Sequence, residues 1–338
     1  MGGAIDREFL IGQTTIHVVS GKLPQDAGGA DALVSSDDVY LTMSGGVSRD
    51  ISEAAGESLR QDARKQQFPL AIGSVVVTSA GRLPARYVLH ATTLDFQTRP
   101  PAEALIARLM QRILEIGKAL GVQHIALPLL GAGTAGLSEA AVLDLILRSA
   151  AFHLASESFP LRRLTVVILE SAQVQATIEK FAQDVAAAEQ IESRIEKLRS
   201  AREALPDDEE LRAALNARIG AASEELCDLF RFAALDDGIS LEDGLPLTAQ
   251  EKQERRENLR KALDRLKGEI DHKKELQHIY VRNREELEKK EAQFGLHVPS
   301  HVVTELEYTQ KMGEELSREI AELEAQKLAL QRQFDALG

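Results

Sequence analysis

Two short glycine-rich segments carry the clearest chemical signal in this 338-residue chain. Residues 43–48 read MSGGVS, and residues 128–138 read PLLGAGTAGLS. Each follows a β-branched apolar run and precedes a helical pattern, so each is expected at a junction between a strand and a helix. Backbone N–H groups at such a junction hold phosphate without a cationic side chain. Neither loop contains Lys, which excludes a Walker A loop. Gly131, Gly133 and Gly136 match G-x-G-x-x-G. A dinucleotide-binding fold carries that motif at its first strand–helix turn, whereas here it follows the fifth strand. For either loop alone, a tight turn that needs glycine only for positive φ is an equal alternative. Two loops in the same setting favour ligand binding.

Other reactive residue types are isolated. His90 lies within an apolar strand and reads as a core or edge histidine rather than a catalytic one. His124 precedes a strand and is expected to cap the turn before it. His297 and His301 flank Pro299, but no carboxylate or Cys pattern completes a metal site. Cys227 has no base beside it in sequence and reads as a buried, inert thiol. Asp236-Asp237-Gly238 and Glu242-Asp243-Gly244 lack the ligand spacing of an EF-hand and read as solvated loop carboxylates. No metal and no cofactor is expected.

The elements that would position the glycine loops alternate in type. Strands are expected at 15–19, 32–34, 74–78, 87–91, 124–127 and 164–169, and helices at 47–66, 101–120, 138–156 and from 173 onward. Apolar runs without strict alternation suit strands buried on both faces. The expectation is a three-layer α/β sandwich with a mixed, largely parallel sheet over residues 1–184. The chain carries 40 Lys+Arg and 53 Asp+Glu, a net charge of −13. Of these, 16 and 19 fall before residue 185, and 24 and 34 after it. Val-rich runs also stop near Leu169, where Ala, Glu, Leu, Lys and Arg take over.

A helical connector is therefore expected over 185–247, broken at Pro206, followed by an all-α antiparallel hairpin over 248–338. Thr248 and Glu251 have capping-box spacing for a helix running to Phe294. Residues 295–300 form the turn. The last helix has an apolar stripe at Val302, Leu306, Thr309, Gly313, Leu316, Ile320, Leu323, Lys327, Leu330, Phe334 and Leu337, in heptad rhythm. Leu259, Leu263, Leu266 and Ile270 repeat it on the partner helix, with a looser stretch through Ile279, Tyr280 and Leu287. Helices this polar need a partner, either each other or another chain.

A single Cys excludes a disulfide scaffold. No apolar run approaches the roughly 18–20 residues of a membrane span, and the N-terminus lacks the blocks of a signal peptide. The acidic balance argues against nucleic acid as a partner. These features together point to a cytoplasmic protein.

Residues 14–185 resemble a macro domain, a module that binds ADP-ribose and related nucleotides. The matching stretches are ADALVSSDD at 30–38, SGGVSRDISEAAG at 44–56, GSVVVTSAG at 73–81, RYVLHA at 86–91 and IALPLLGAGTAGLS at 125–138. The resemblance implies that Ser44, Gly45, Gly46, Val47 and Ser48 wrap the distal ribose and one phosphate. Gly131, Ala132, Gly133, Thr134, Ala135 and Gly136 would hold the diphosphate from the other side. Ser35, Ser36 and Asp38 would line the ribose, and Lys22 and Leu23 the adenine end.

Three departures stand out. Gly21 is followed by Lys22 where the family carries an Asp that contacts adenine, leaving Asp26 or a backbone group to replace it. Asp38 stands where an Asn is usual, and a carboxylate accepts but does not donate. Ser48 stands where hydrolytic members carry an acid. The last departure argues for binding over turnover, with Asp38 and Ser48 the residues to nominate if the domain were an ADP-ribosyl hydrolase acting on protein or nucleic acid. Residues 293–324 resemble a helical assembly module of bacterial defence and signalling proteins. That implies self-association, or docking to a helical protein partner, governed by an ADP-ribose-like ligand.

Overall fold

The β-branched runs pair into one seven-stranded sheet in a computed structural model that describes residues 4–95, 98–132, 138–156, 159–169, 172–204, 209–235, 245–246, 249–294 and 298–337. In chain order the strands are β1 (Asp6–Ile11), β2 (Thr14–Ser20), β3 (Ala32–Asp38), β4 (Val75–Ser79), β5 (Tyr87–Leu94), β6 (Thr98–Arg99), β7 (His124–Pro128), β8 (Arg163–Ile168) and β9 (Leu245–Pro246). The sheet order is β1-β2-β8-β7-β3-β5-β4, and β6 and β9 form a separate antiparallel ladder. From β2 to β5 every neighbouring pair is parallel, while the edge strands β1 and β4 are antiparallel to theirs. Parallel strands need crossover helices on both faces, which is why the central runs are apolar throughout. β1 was not expected from its composition. It is an edge strand with Asp6, Arg7 and Glu8 exposed and only Phe9 and Ile11 buried.

Alternate residues of the central strands serve two cores. Val34, Leu89, Ile125, Leu127 and Val166 face a large core covered by α3 (Ala102–Leu120), α4 (Glu139–Ser156), α5 (Gln175–Glu203) and α6 (Glu209–Phe230). Leu33, Val88, Ala126 and Val167 face a smaller one closed by α1 (Gly46–Ala55) and α2 (Glu57–Ala63). The single helix expected at 47–66 is split by Gly56, whose φ of 82° ends α1. The Arg82 guanidinium occupies the space beside it, 2.9 Å from where a Cβ would stand.

The charge boundary near residue 184 does not divide the packing. α5 runs through it without interruption, and Val185, Ala188, Ile191 and Ile195 are buried in the large core with Ala222, Leu226 and Phe230 of α6. Phe181 lies at the centre of this layer, 5.1 Å from the Phe9 ring and 6.0 Å from the Phe230 ring. The chain separates into two compact units between Pro246 and Leu247. The break at 206 and the acidic loop segments 236–238 and 242–244 lie outside the described residues.

The second unit is a pair of antiparallel helices, α7 (Ala249–Phe294) and α8 (Ser300–Ala336). Lys273 pairs with Glu319 at 2.7 Å and Lys274 with Glu324 at 2.6 Å, while Arg256 lies over the Phe334 ring and Tyr280 against Tyr308. Every member of the α8 stripe is buried or half-buried. On α7, Leu259, Ile270 and Leu287 are buried, but Ile279 is 53% exposed and is not part of the contact face. Thr248 and residues 295–297, His297 among them, lie outside the described residues; His301 is exposed on α8.

Two smaller expectations are corrected. The Asp31 carboxylate, not His124, caps the turn before β7, accepting the N–H groups of Gln123 at 2.7 Å and His124 at 3.0 Å. The His124 ring instead bridges to Thr165 of β8 at 2.8 Å. Cys227 is half-buried rather than enclosed, with its Sγ 3.3 Å from the Ser156 hydroxyl.

Gly81 closes the β4–β5 turn onto the end of α1. Its φ is +58°, and an added Cβ would lie 2.3 Å from the Ala55 carbonyl oxygen. Gly81→Ala is therefore expected to cost at least about 2 kcal/mol, from the disfavoured backbone and the displaced helix end. Urea unfolding measures the loss, and a change within about 0.5 kcal/mol of wild type would contradict this account of the turn.

Candidate functional site

β3 and β5 both continue past their apolar runs into polar residues, and these continuations meet at the C-terminal edge of the sheet. The β3 register shifts between Asp37 and Asp38, so that Asp38 pairs with Leu94 and Thr93 is passed over. Such a bulge re-aims side chains. Thr93 Oγ1 lies 2.8 Å from Ser36 Oγ and donates to the Asp37 carbonyl at 3.3 Å. Ser36 Oγ also accepts the Gly131 N–H at 3.3 Å, so one hydroxyl ties the second glycine loop to β3. Gly131 has φ of +76° and is buried. Ala132 is half-buried, and Gly133, Thr134, Ala135 and Gly136 lie outside the described residues.

Asp37 faces the smaller core with no exposed side-chain surface. It accepts from Ser48 Oγ of α1 and pairs with His90 Nδ1 at 2.8 Å, while His90 Nε2 lies 2.9 Å from Thr78 Oγ1 of β4. A carboxylate accepts, so His90 Nδ1 donates to Asp37, and the Thr78 hydroxyl meets the other ring nitrogen. His90 is thus a core histidine, as its apolar strand suggests, but it holds a buried carboxylate. Ser48 is 4% exposed, and its hydroxyl proton is committed inward to Asp37.

Asp38 is turned into the loop that follows. Its Oδ1 accepts the N–H groups of Tyr40 at 2.8 Å and Thr42 at 3.5 Å, and its Oδ2 accepts the Thr42 hydroxyl. Thr42 Oγ1 lies 3.0 Å from Ser44 Oγ, and Ser44 is exposed. Burial pushes the Asp38 carboxyl up from 3.8 to about 6, with Asp37 adding to the rise and the donors from Thr42 and Tyr40 opposing it. Leu41 and Met43 hold φ of 48° and 49°, an uncommon conformation for such residues, while their side chains anchor the loop in the smaller core. Gly46 has φ of +56°, and the space beside Gly45 and Gly46 is open. No side chain caps α1, and its first turn contains no acidic residue. The N–H groups of that turn are therefore open to an anion.

Of the other nominated residues, Ser35 is fully buried and its hydroxyl has no hydrogen-bond partner among the described residues. Val47 is half-buried. Lys22 is exposed, and its N–H is taken by Asp26 at 2.7 Å, which leaves Asp26 closing that turn. Leu23 is 1% exposed within the smaller core. The residues that composition did not single out are Asp37, Thr42 and Thr93. The one signal for Asp37 and Thr93 is the polar continuation of two apolar strands, while Thr42 lies in the loop beyond β3. Among the described residues no group of three or more His, Cys, Asp or Glu side chains could hold a metal ion, and no helix is long and apolar enough to cross a membrane.

The raised Asp38 carboxyl links stability to pH. Its folded value of about 6 lies above the ordinary value of 3.8, so its contribution is fully present below about pH 3.8 and is lost as pH rises through 6. Asp38→Asn is expected to stabilise the protein by up to about 3 kcal/mol at pH 7.5, with the gain shrinking towards pH 4. Denaturant unfolding at both pH values checks this, and a gain independent of pH would contradict it.

The macro-domain family model matches residues 34–146, which run from within β3 through both glycine loops into the first half of α4. An uncharacterized protein of Pyrobaculum aerophilum is 29% identical over 177 residues, covering 52% of this chain and 94% of that protein. An O-acetyl-ADP-ribose deacetylase of Escherichia fergusonii is 30% identical over 152 residues, covering 44% of this chain and 85% of that enzyme. A solved structure of the Oceanobacillus iheyensis macrodomain with ADP aligns at 20% identity and a TM-score of 0.48, covering 54% of this chain and 98% of the other. The chain belongs to the macro-domain family, with the macro domain in its N-terminal half.

Proposed function

We propose that the first unit binds ADP-ribose or a close derivative at the C-terminal edge of β3 and β5, beside the first glycine loop and Gly131. The observation that carries this is the pairing of an uncapped α1 N-terminus, open to phosphate, with the hydroxyl and carboxylate cluster Ser44–Thr42–Asp38 beside it. A nucleoside diphosphate sugar presents both of those chemistries together. Kinship with an O-acetyl-ADP-ribose deacetylase supports the same ligand class.

Binding without turnover is favoured by the first loop. Ser48 points inward to Asp37, and Asp50, the nearest acid on α1, has Arg49 at 3.9 Å. Hydrolysis of an ADP-ribosyl or acyl ester is the second reading. Asp38, held near 6, is the group that would have to serve as its base.

The α7–α8 pair supports a role in self-association. Ile279, Val281, Tyr308 and Leu328 are exposed on it. The proposal extends to ligand occupancy biasing how copies assemble, or which helical partner they recruit.

Thermal shift and calorimetry against ADP-ribose, NAD, ADP and AMP test the ligand. At about 100 times its dissociation constant, ADP-ribose is expected to stabilise the protein by roughly 2.7 kcal/mol. Failure of all four ligands to bind would remove the proposal. Light scattering of the full chain with and without saturating ADP-ribose tests the assembly part. An unchanged mass would refute the coupling and leave binding intact.

A further inference from the structure

The hydroxyls of Thr42 and Ser44 form a directional chain that starts at Asp38. An ionised carboxylate has no proton, so Thr42 Oγ1 must spend its single hydrogen on Asp38 Oδ2. The 3.0 Å contact between Thr42 and Ser44 can then be a hydrogen bond only if Ser44 donates. Ser44 Oγ is left with lone pairs alone to offer to the cleft. We infer that Thr42 fixes the hydrogen-bond polarity of Ser44, so that the loop hydroxyl accepts from a ligand ribose hydroxyl and disfavours a phosphate oxygen, and that protonation of Asp38 reverses this preference. The inference rests on the nucleotide-binding proposal and names which part of the ligand Ser44 meets.

The reversal follows from which oxygen takes the proton. Oδ1 already accepts two backbone N–H groups, so the proton goes to Oδ2 and is donated to Thr42 Oγ1. Thr42 then donates to Ser44, and the Ser44 hydrogen turns to the cleft. With Asp38 held near 6, the switch lies just below neutral pH. The other titratable or charged groups of the elements around it are Asp37 on β3, Tyr40 in the loop, Tyr87 and His90 on β5, and Arg49, Asp50 and Glu53 on α1. Of these, His90 is bound to Asp37, and Arg49 lies between Asp50 and Glu53.

The experiment measures dissociation constants of ADP-ribose and ADP for the full chain at pH 7.5 and pH 5.0. ADP ends in a phosphate where ADP-ribose continues into a second ribose. Its terminal phosphate titrates over the same range, and Ser44→Ala carries that contribution without the hydroxyl chain. The quantity read is therefore the preference for ADP-ribose over ADP in wild type, divided by that in Ser44→Ala.

This quotient is expected to fall by about tenfold from pH 7.5 to 5.0, the effect of exchanging one favourable hydrogen bond for an unfavourable contact. Asp38→Asn, whose amide donates to Thr42 at every pH, is expected to show the low-pH preference throughout. Thr42→Val is expected to remove the pH dependence. Ser44 is exposed, so Ser44→Ala tests the chain even if Thr42→Val folds poorly. A quotient equal at the two pH values, or an Asp38→Asn variant that still follows the wild-type pH dependence, overturns the inference while ADP-ribose binding stands. Absence of binding by either ligand overturns the nucleotide proposal and this inference together.

Discussion

Two adjacent carboxylates at the end of β3, turned in different directions, hold the first glycine loop in place. A buried carboxylate is tolerated only where donors surround it. Asp37 draws its donors from α1 and β5, so it fastens the start of the helix to the sheet through Ser48 and His90. Asp38 draws its donors from its own loop, so it folds residues 40–44 back on themselves. The open N–H groups of α1 and the exposed Ser44 are positioned because these two demands are met together. The uncommon backbone angles of Leu41 and Met43 lie between the two anchor points, where the surrounding structure leaves the chain little choice.

Most of the fold was legible because parallel strands buried on both faces write themselves as apolar runs. The runs at 32–34 and 87–91 marked β3 and β5, but both strands continue for several residues in Ser, Asp and Thr. Apolar periodicity stops where the site begins, since the side chains there serve hydrogen bonds rather than a core. The glycine loops were found by their composition. The carboxylate that fastens the first of them to the sheet was not, because Asp37 draws its meaning from His90, far away in sequence. Ser48 was nominated by its place in the loop, and its inward rotation becomes visible only once α1 lies on the sheet. β1 was missed for a related reason: three of its six residues are charged, which an exposed edge tolerates and a pattern search discounts.

Composition misled most at the boundary between the units. A rise in charge describes the outer face of a helix, whereas a unit is defined by what its inner face covers. α5 changes its surface near residue 184 and keeps its buried stripe, so charge and packing part company there. In α7 and α8 the two agree, because the heptad stripe of α8 is buried or half-buried along its length.

The continuation of α5 and the return of α6 also bear on how this protein could be recombined with others. Val185, Ala188 and Ile191 on α5, with Leu226 and Phe230 on α6, complete a core that begins with Phe9 on the first strand. A chain severed at residue 184 would strip cover from Phe181 and leave an oily flank facing water. In this protein, then, a division that keeps Phe181 covered has to fall beyond α6, and the first compact unit ends at Pro246.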